Sequence, residues 1–233
     1  MAQYQGKNLE KDFELFLVGN KLWKPYHENE YSWIDRLGNL MDVAAKRTAE
    51  ENKHLKDDDI KWWLDLCILQ GVYGKEVDIF GSYLEARSMT NFRNGQFFTP
   101  MNICDLMAEL VLHDGEGAQK DEPITVSDCA SGTGRMMIAH ANMAAGKAGY
   151  SPIKFKYYNQ DIDYKSFVFS TLNAVLRNLY SVNVWGDSLA VTERKVYFTI
   201  PTMFGYSTWH DRDHELSRLN ESECIEIDIR KAV

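Results

Sequence analysis

Val126–Arg135, VSDCASGTGR, is the stretch whose reading decides the fold. Ahead of it, Ile124 and Val126 form a short apolar run that meets an acid, Asp128. The small residues Cys129, Ala130, Ser131, Gly132, Thr133 and Gly134 then make a loop, and a helix-forming stretch follows at once. Strand, tight glycine loop and helix form the entry unit of nucleotide-binding α/β sheets. Glycine lets the backbone approach a ligand, and the free N–H groups of a helix start favour an anion such as a carboxylate or phosphate. A plain strand-to-helix turn that uses glycine for positive φ has the same appearance, so the neighbouring segments must decide.

The spacing is D-x-x-x-G-x-G. It is not the dinucleotide G-x-G-x-x-G, which disfavours a nicotinamide dehydrogenase. No Gly-Lys-Ser/Thr follows the glycines, which disfavours a P-loop enzyme.

Downstream, strands alternate with helices. Met136–Ala145 reads as an Ala/Met-rich helix stopped near Gly146, Phe155–Tyr158 as strand two, and Ser166–Tyr180 as a crossover helix. Val182–Trp185 is strand three and Val196–Ile200 strand four. This alternation predicts a parallel sheet with helical crossovers. Ile225, Ile227 and Ile229 alternate with charges and read as a half-exposed edge strand.

Upstream, residues 1–90 read as helical. Trp33, Leu37, Leu40, Met41 and Ala44 share one face at 3.6-residue spacing. Asp57-Asp58-Asp59 places acids at the start of the next helix, whose stripe reads as Ile60, Leu64, Cys67 and Ile68. A further helix is expected over Val77–Ala86. The adjacent Trp62 and Trp63 cannot both face one core. Core packing is favoured, with a contact to the other lobe or to a partner as the alternative. In Asn94–Pro100, NGQFFTP, Gly95 and Pro100 bracket two aromatics, and Pro100 is placed to open a helix over Met101–Leu112. Two units are expected, a helical lobe over 1–93 and an α/β domain over 94–233.

Composition agrees with a globular chain: 233 residues, 45% hydrophobic and 12% aromatic. No apolar run approaches a membrane span and no secretory leader is visible, so a cytoplasmic protein without membrane attachment is expected. Cys67, Cys104, Cys129 and Cys224 are scattered and read as reduced thiols. His210 and His214 have a spacing that can bind metal on a helix, but the charged segment around them reads as a solvated surface, and no metal site is expected. A net charge of −8 is poor for gripping nucleic acid unaided, so a basic patch or a partner subunit must supply any such grip.

Three acids fall at strand ends: Asp128, Asp161 and Asp187. Ligands of open α/β sheets bind beyond those ends. Asp128 opens the glycine loop, Asp161 lies where an acid accepts from ribose hydroxyls, and Asp187 can accept from an adenine amino group. A lone strand-end aspartate is usually a turn residue. Three in register say more.

Together these segments resemble the S-adenosylmethionine-dependent N6-adenine DNA methyltransferases, in particular the methylation subunit of type I restriction-modification systems. Asn94–Pro100 resembles that family's G-Q-[FY]-[FY]-T-P segment, and Ser127–Gly134 its D-P-A-C-G-[TS]-G loop. Asn159–Asp163, NQDID, resembles G-Q-E-[IL]-[DN], and Gly186–Leu189 resembles G-D-[ST]-L. Asp78–Gly81, DIFG, resembles the helix that precedes the G-Q segment. The resemblance implies a Rossmann-like class I methyltransferase sheet preceded by a helical N-terminal lobe. It also implies an S-adenosylmethionine site made by Gln96, Phe97, Phe98, Thr99, Pro100, Asp128, Ala130, Ser131, Gly132, Thr133, Gly134, Asp161, Ile162, Asp187 and Ser188.

The chain departs from that family in one segment. The resemblance calls for Asn-Pro-Pro-[FY] at the end of strand four, where the Asn and a Pro carbonyl accept from the adenine amino group of a flipped base. Here that position reads Ile200-Pro201, and none of the five prolines follows Asn or Asp. After Asp187, 46 residues remain, enough for strand four and one more, so the sheet is expected to be incomplete at its C-terminal side. Two functions follow: a divergent adenine methyltransferase, weak or inactive as an isolated chain, or a pseudo-methyltransferase acting as a DNA- or protein-binding adaptor in a phage, plasmid or other mobile element. Expected partners are DNA through a partner subunit, another protein, or a second copy. Arg135 reads as a solvated residue at the helix start.

Overall fold

A computed structural model describes residues 4–23, 32–45, 57–89, 98–112, 123–146 and 154–215. In chain order these form α1 (Leu9–Gly19), α2 (Ser32–Ala45), α3 (Asp57–Tyr73), α4 (Ile79–Ala86), α5 (Met101–Val111), β1 (Ile124–Asp128), α6 (Arg135–Ala145), β2 (Phe155–Asp161), α7 (Tyr164–Leu176), β3 (Tyr180–Trp185), β4 (Lys195–Ile200) and β5 (Thr208–Asp211). Local chemistry sets several of these starts. The side chains of Asn8, Asp78 and Asp163 accept backbone N–H groups at the starts of α1, α4 and α7, and Pro100 caps α5.

The strands form one mixed sheet in sequential order, β1-β2-β3-β4-β5. β1, β2 and β3 are parallel, joined through α6 and α7. β4 runs antiparallel to β3, and β5 antiparallel to β4. The expectation of a parallel sheet therefore holds for three strands and fails for the fourth. The reason is length. Nine residues, Gly186 to Arg194, separate β3 from β4, whereas a parallel crossover needs about a dozen or more. The turn is closed by Thr192 N–H to Asp187 O (3.0 Å) and Arg194 N–H to Trp185 O (2.7 Å).

α7 is the centre of the molecule. Every residue from Ser166 to Leu176 is buried, because one face lies on the sheet and the other under the N-terminal helices. Phe167 stacks on Tyr197 of β4 at 5.0 Å, while Phe169 stacks on Phe80 (5.0 Å) and Trp33 (5.6 Å). One continuous core thus runs from Phe13 and Phe16 of α1, through Trp33, Leu37 and Met41 of α2, to α7 and Tyr197.

α3 buries a different stripe from the one its aliphatic pattern indicates. Leu64 and Ile68 are exposed, whereas Trp62, Asp65, Leu66 and Leu69 are buried. Both faces are apolar. The buried one carries the large indole and an acid whose charge is met by Lys61 (2.7 Å) and Asn20 (3.0 Å). Trp62 is buried and Trp63 half-buried, and both rings meet Trp209 of β5. The tryptophan pair therefore seats the helical layer on the sheet.

His210 lies on β5 rather than on a helix with His214, and among the described residues no His/Cys/Asp/Glu group could hold a metal. Cys67 and Cys104 are buried free thiols and Cys129 is an exposed one. Cys224 and the strand expected over Ile225–Ile229 lie outside the described residues. No helix among those residues is long and apolar enough to cross a membrane.

Candidate functional site

β1 delivers Asp128 to the loop, and Asp128 Oδ1 accepts the N–H of Ala130 at 3.1 Å. Ser131 N–H then bonds the Gln160 carbonyl (3.0 Å), which ties the loop to β2. Gly132 and Gly134 have φ of +53° and +87°, the left-handed region that glycine adopts without strain. A Cβ on Gly132 would also press on the Phe98 ring at 3.4 Å. Gly134 caps α6.

β2 brings Asp161 to the same place. Its Oδ2 accepts the Gly132 N–H at 2.8 Å, and its Oδ1 accepts the Asp163 N–H at 2.8 Å. Burial raises the pKa values of Asp161 and Asp128, opposed in each by backbone N–H bonds. Asp187, after β3, accepts the N–H groups of Leu189 (2.9 Å) and Ala190 (3.1 Å) with Oδ1. Its neighbour Gly186 donates to the Asp161 carbonyl at 2.9 Å. All three strand-end acids thus hold turns, and two of them meet at the glycine loop. Ser188 lies in the turn after Asp187, and Ile162, beside Asp161, is exposed.

A cavity of about 690 Å³ opens beside the loop. Phe98, Thr99, Asp128, Ala130, Ser131, Gly132 and Thr133 line it, and it continues over Met107, Val111, Val126 and Tyr157. Its size suits a cofactor. Asp161, Ile162, Asp187 and Ser188 stand outside its lining; Asp161 reaches it through the Gly132 N–H, and Asp187 follows Gly186, which bonds the Asp161 carbonyl. Pro100 serves as the α5 cap. Gln96 and Phe97 lie outside the described residues. The Ser131 hydroxyl is buried without a hydrogen-bond partner. A polar atom in that state, on a cavity wall, is one a ligand can satisfy.

Beneath the loop lies a polar network that local pattern does not reveal. Asp78, 1% exposed, accepts from Gly81 N–H (3.0 Å), Thr133 Oγ1 (2.6 Å), Arg135 Nε (3.0 Å) and Asn173 Nδ2 (2.9 Å). Asn173 also donates to the Thr133 carbonyl at 2.7 Å, and Arg177 donates to Asn173 Oδ1 at 2.8 Å. Arg135 is not a solvated residue. It is 6% exposed, pairs with both Asp78 and Glu85, donates to the Thr99 carbonyl (3.2 Å) and lies 5.3 Å over the Phe98 ring. Ionic partners from another helix make that burial tolerable. These acids raise its pKa against the opposing effect of burial.

His140 of α6 is a second residue that pattern alone misses. It lines the cavity, and its Nδ1 meets Tyr157 Oη at 3.0 Å. Burial pushes its pKa down to about 4. The unfolded chain takes up that proton near pH 6.5, the folded chain only near pH 4. Stability is therefore full above pH 6.5 and falls as pH drops through that window. The expected loss between pH 7 and pH 5 is about 2 kcal/mol. Urea titrations of the wild type and His140→Gln at both pH values measure it. An equal slope in the variant would assign the loss elsewhere.

The family model described as N-6 DNA Methylase matches residues 75–205, more than half of the chain. The chain belongs to the N-6 DNA methylase family. Comparison with curated proteins and with solved structures gives no match. The matched span begins just before Asp78, so the network under the loop falls within the methylase region, while α1 and α2 precede it. It closes after β4.

In this member of the family the end of β4 is not beside the glycine loop. β4 pairs antiparallel with β3, Ser181 opposite Thr199 and Trp185 opposite Lys195. Ile200 and Pro201 therefore lie at the amino ends of the parallel strands, across the sheet from Asp128, Asp161 and Asp187. The expectation that Ile200 replaces a base-contacting acceptor fails on direction.

Proposed function

We propose that this methylase-family chain binds S-adenosylmethionine at the loop between β1 and α6, and that methyl transfer to adenine by the isolated chain is weak or absent. The observation that carries the binding half is the Asp161 carboxylate held 2.8 Å from the Gly132 N–H. An acid from β2 thereby stands at the glycine loop of β1. The orphaned Ser131 hydroxyl on the cavity wall supports the fit.

In this reading Phe98, Thr99 and the loop Asp128–Gly134 hold the amino-acid end. Gln96, Phe97 and Pro100 complete that segment. Asp161 accepts from the ribose, and Ile162, Asp187 and Ser188 face the adenine. The bound cofactor supplies the methyl group. The sulfonium and ammonium charges suit an acid-lined loop. The second half rests on the direction of β4, which carries Ile200 and Pro201 away from the loop, and on the lack of any Asn-Pro or Asp-Pro pair in the chain. An acceptor for the adenine amino group, and a grip on DNA for a chain of charge −8, then come from a partner, as in a restriction-modification assembly.

Calorimetric titration of S-adenosylmethionine into wild type and Asp161→Ala tests binding. The expected loss is about 1.5–3 kcal/mol, roughly a 10- to 100-fold rise in Kd. No heat at millimolar cofactor in either form overturns the reading. Transfer of tritiated methyl groups to unmodified DNA at ordinary enzyme rates overturns its second half. One observation favours a scaffold without cofactor, an adaptor of a mobile element: Asp128, Asp161 and Asp187 already accept backbone N–H groups, so the turns at the strand ends are held without a ligand.

A further inference from the structure

The glycine loop forms one wall of the cavity, and Phe98 with Thr99 forms another. The two walls come from separate stretches of chain, one between β1 and α6 and one just ahead of α5. Thr99 is exposed and Phe98 half-buried, so burial alone does not fix the second wall. A binding group works only when neighbours hold it in place.

Arg135 supplies such a hold. It opens α6 directly after Gly134. Its Nη1 donates to the Thr99 carbonyl at 3.2 Å, and its guanidinium lies 5.3 Å over the Phe98 ring. The guanidinium is itself fixed from α4. Glu85 takes Nη1 and Nη2 as a fork, at 3.0 and 2.7 Å, and Asp78 takes Nε at 3.0 Å. These two carboxylates also neutralise its charge, which leaves little attraction for the carboxylate of a ligand. Geometry and charge together direct Arg135 at the wall rather than at the ligand.

We propose that Arg135 is a positioning residue: anchored by Glu85 and Asp78, it fixes Phe98 and Thr99 beside the glycine loop in the arrangement that receives S-adenosylmethionine. This role rests on the cofactor reading above. One side chain must reach Asp78, Glu85 and the Thr99 carbonyl while turning a face to Phe98. A planar guanidinium does so, whereas lysine has the charge without the fork. The role also gives α4 a part in the site. Glu85, with a side chain 44% exposed, orients the guanidinium although it adds little to folding.

Calorimetric titration of S-adenosylmethionine, at a temperature where every variant is folded, tests this beside hydrogen exchange on the cofactor-free chain. Arg135→Lys should raise Kd about tenfold and Glu85→Gln about threefold, the cost of ordering one or two side chains on binding. If Arg135→Lys does not fold, Glu85→Gln carries the test. Met41→Ala, in the core under α2, lowers stability by another route and should leave Kd unchanged. Decarboxylated S-adenosylmethionine should give the same ratios. In cofactor-free Glu85→Gln, the amides of Ile103 and Cys104, which bond the Pro100 carbonyl, should exchange about threefold faster, and that of Ile138 in α6 at the wild-type rate. A wild-type Kd in Glu85→Gln, or wild-type exchange at Ile103 and Cys104, overturns the proposal. So does an equal rise in Kd for Met41→Ala, which would reduce the effect to stability. An Arg135→Lys effect that vanishes with the decarboxylated compound overturns it too, by making Arg135 a carboxylate ligand. No heat with the wild type removes the cofactor reading instead, and the exchange rates then decide by themselves whether Arg135 holds the wall.

Discussion

Asp78→Asn should lower the unfolding free energy by about 3–5 kcal/mol, the cost of removing one member of a buried ionic network. The carboxylate accepts four hydrogen bonds in a site closed to water. An asparagine there offers one acceptor oxygen and turns an amide donor toward the donors Thr133, Arg135 and Asn173. As ionic partner Arg135 would keep Glu85, whose side chain is 44% exposed. For the same reason Glu85→Gln should cost at most about 1 kcal/mol. Urea midpoints of the two variants make the comparison, and similar losses would show that the network is not the stabilising element described. Because Thr133 is in the glycine loop, the Asp78 change should also weaken S-adenosylmethionine binding.

Gly186→Ala should cost about 3 kcal/mol, a backbone overpacking effect at the upper end of the usual range. A Cβ there would overlap the Thr192 carbonyl oxygen and come within 3.0 Å of the Thr192 carbonyl carbon and 3.1 Å of Glu193 Cα. These are backbone atoms in a turn closed by two hydrogen bonds, so no side-chain rotation relieves them. Relief requires the turn to open, and the Gly186 N–H then leaves the Asp161 carbonyl. Gly71→Ala, in α3 with nothing within 4 Å of the added carbon, is the matched control. It should stabilise by up to about 1 kcal/mol. If the two alanine variants melt alike, the turn is looser than its geometry indicates.

Much of the methylase sheet could be read from single segments. Glycines and acids mark where strands stop and helices start, and that information is local. VSDCASGTGR carries its own strand end, loop and cap, and the helix after Pro100 carries its own start. The direction of β4 was also legible, in the nine residues that precede it, although alternating strands and helices suggested a crossover. Arg135 was not legible. Its burial depends on Asp78 and Glu85, contributed by a different helix more than forty residues earlier. A charged residue in a first turn looks identical whether its partner is water or a buried acid. The face of α3 failed for a related reason: Leu64 with Ile68 and Trp62 with Leu66 are both apolar rows, and the packing of α1 and of Trp209 from a distant strand selects between them.

Trp62, Trp63 and Trp209 have ring centres 5.3–6.4 Å apart, and they are three of the chain's six tryptophans. Trp209 also donates from Nε1 to the Met41 carbonyl of α2 at 3.2 Å. Half of the chain's indole rings therefore sit at a seam where helices from the first third of the chain meet β5. Indole emission shifts to longer wavelength when the ring meets water, and rings this close exchange excitation. Fluorescence from the unlabelled protein thus reports whether the helical layer is seated on the sheet, separately from whether the sheet itself is formed.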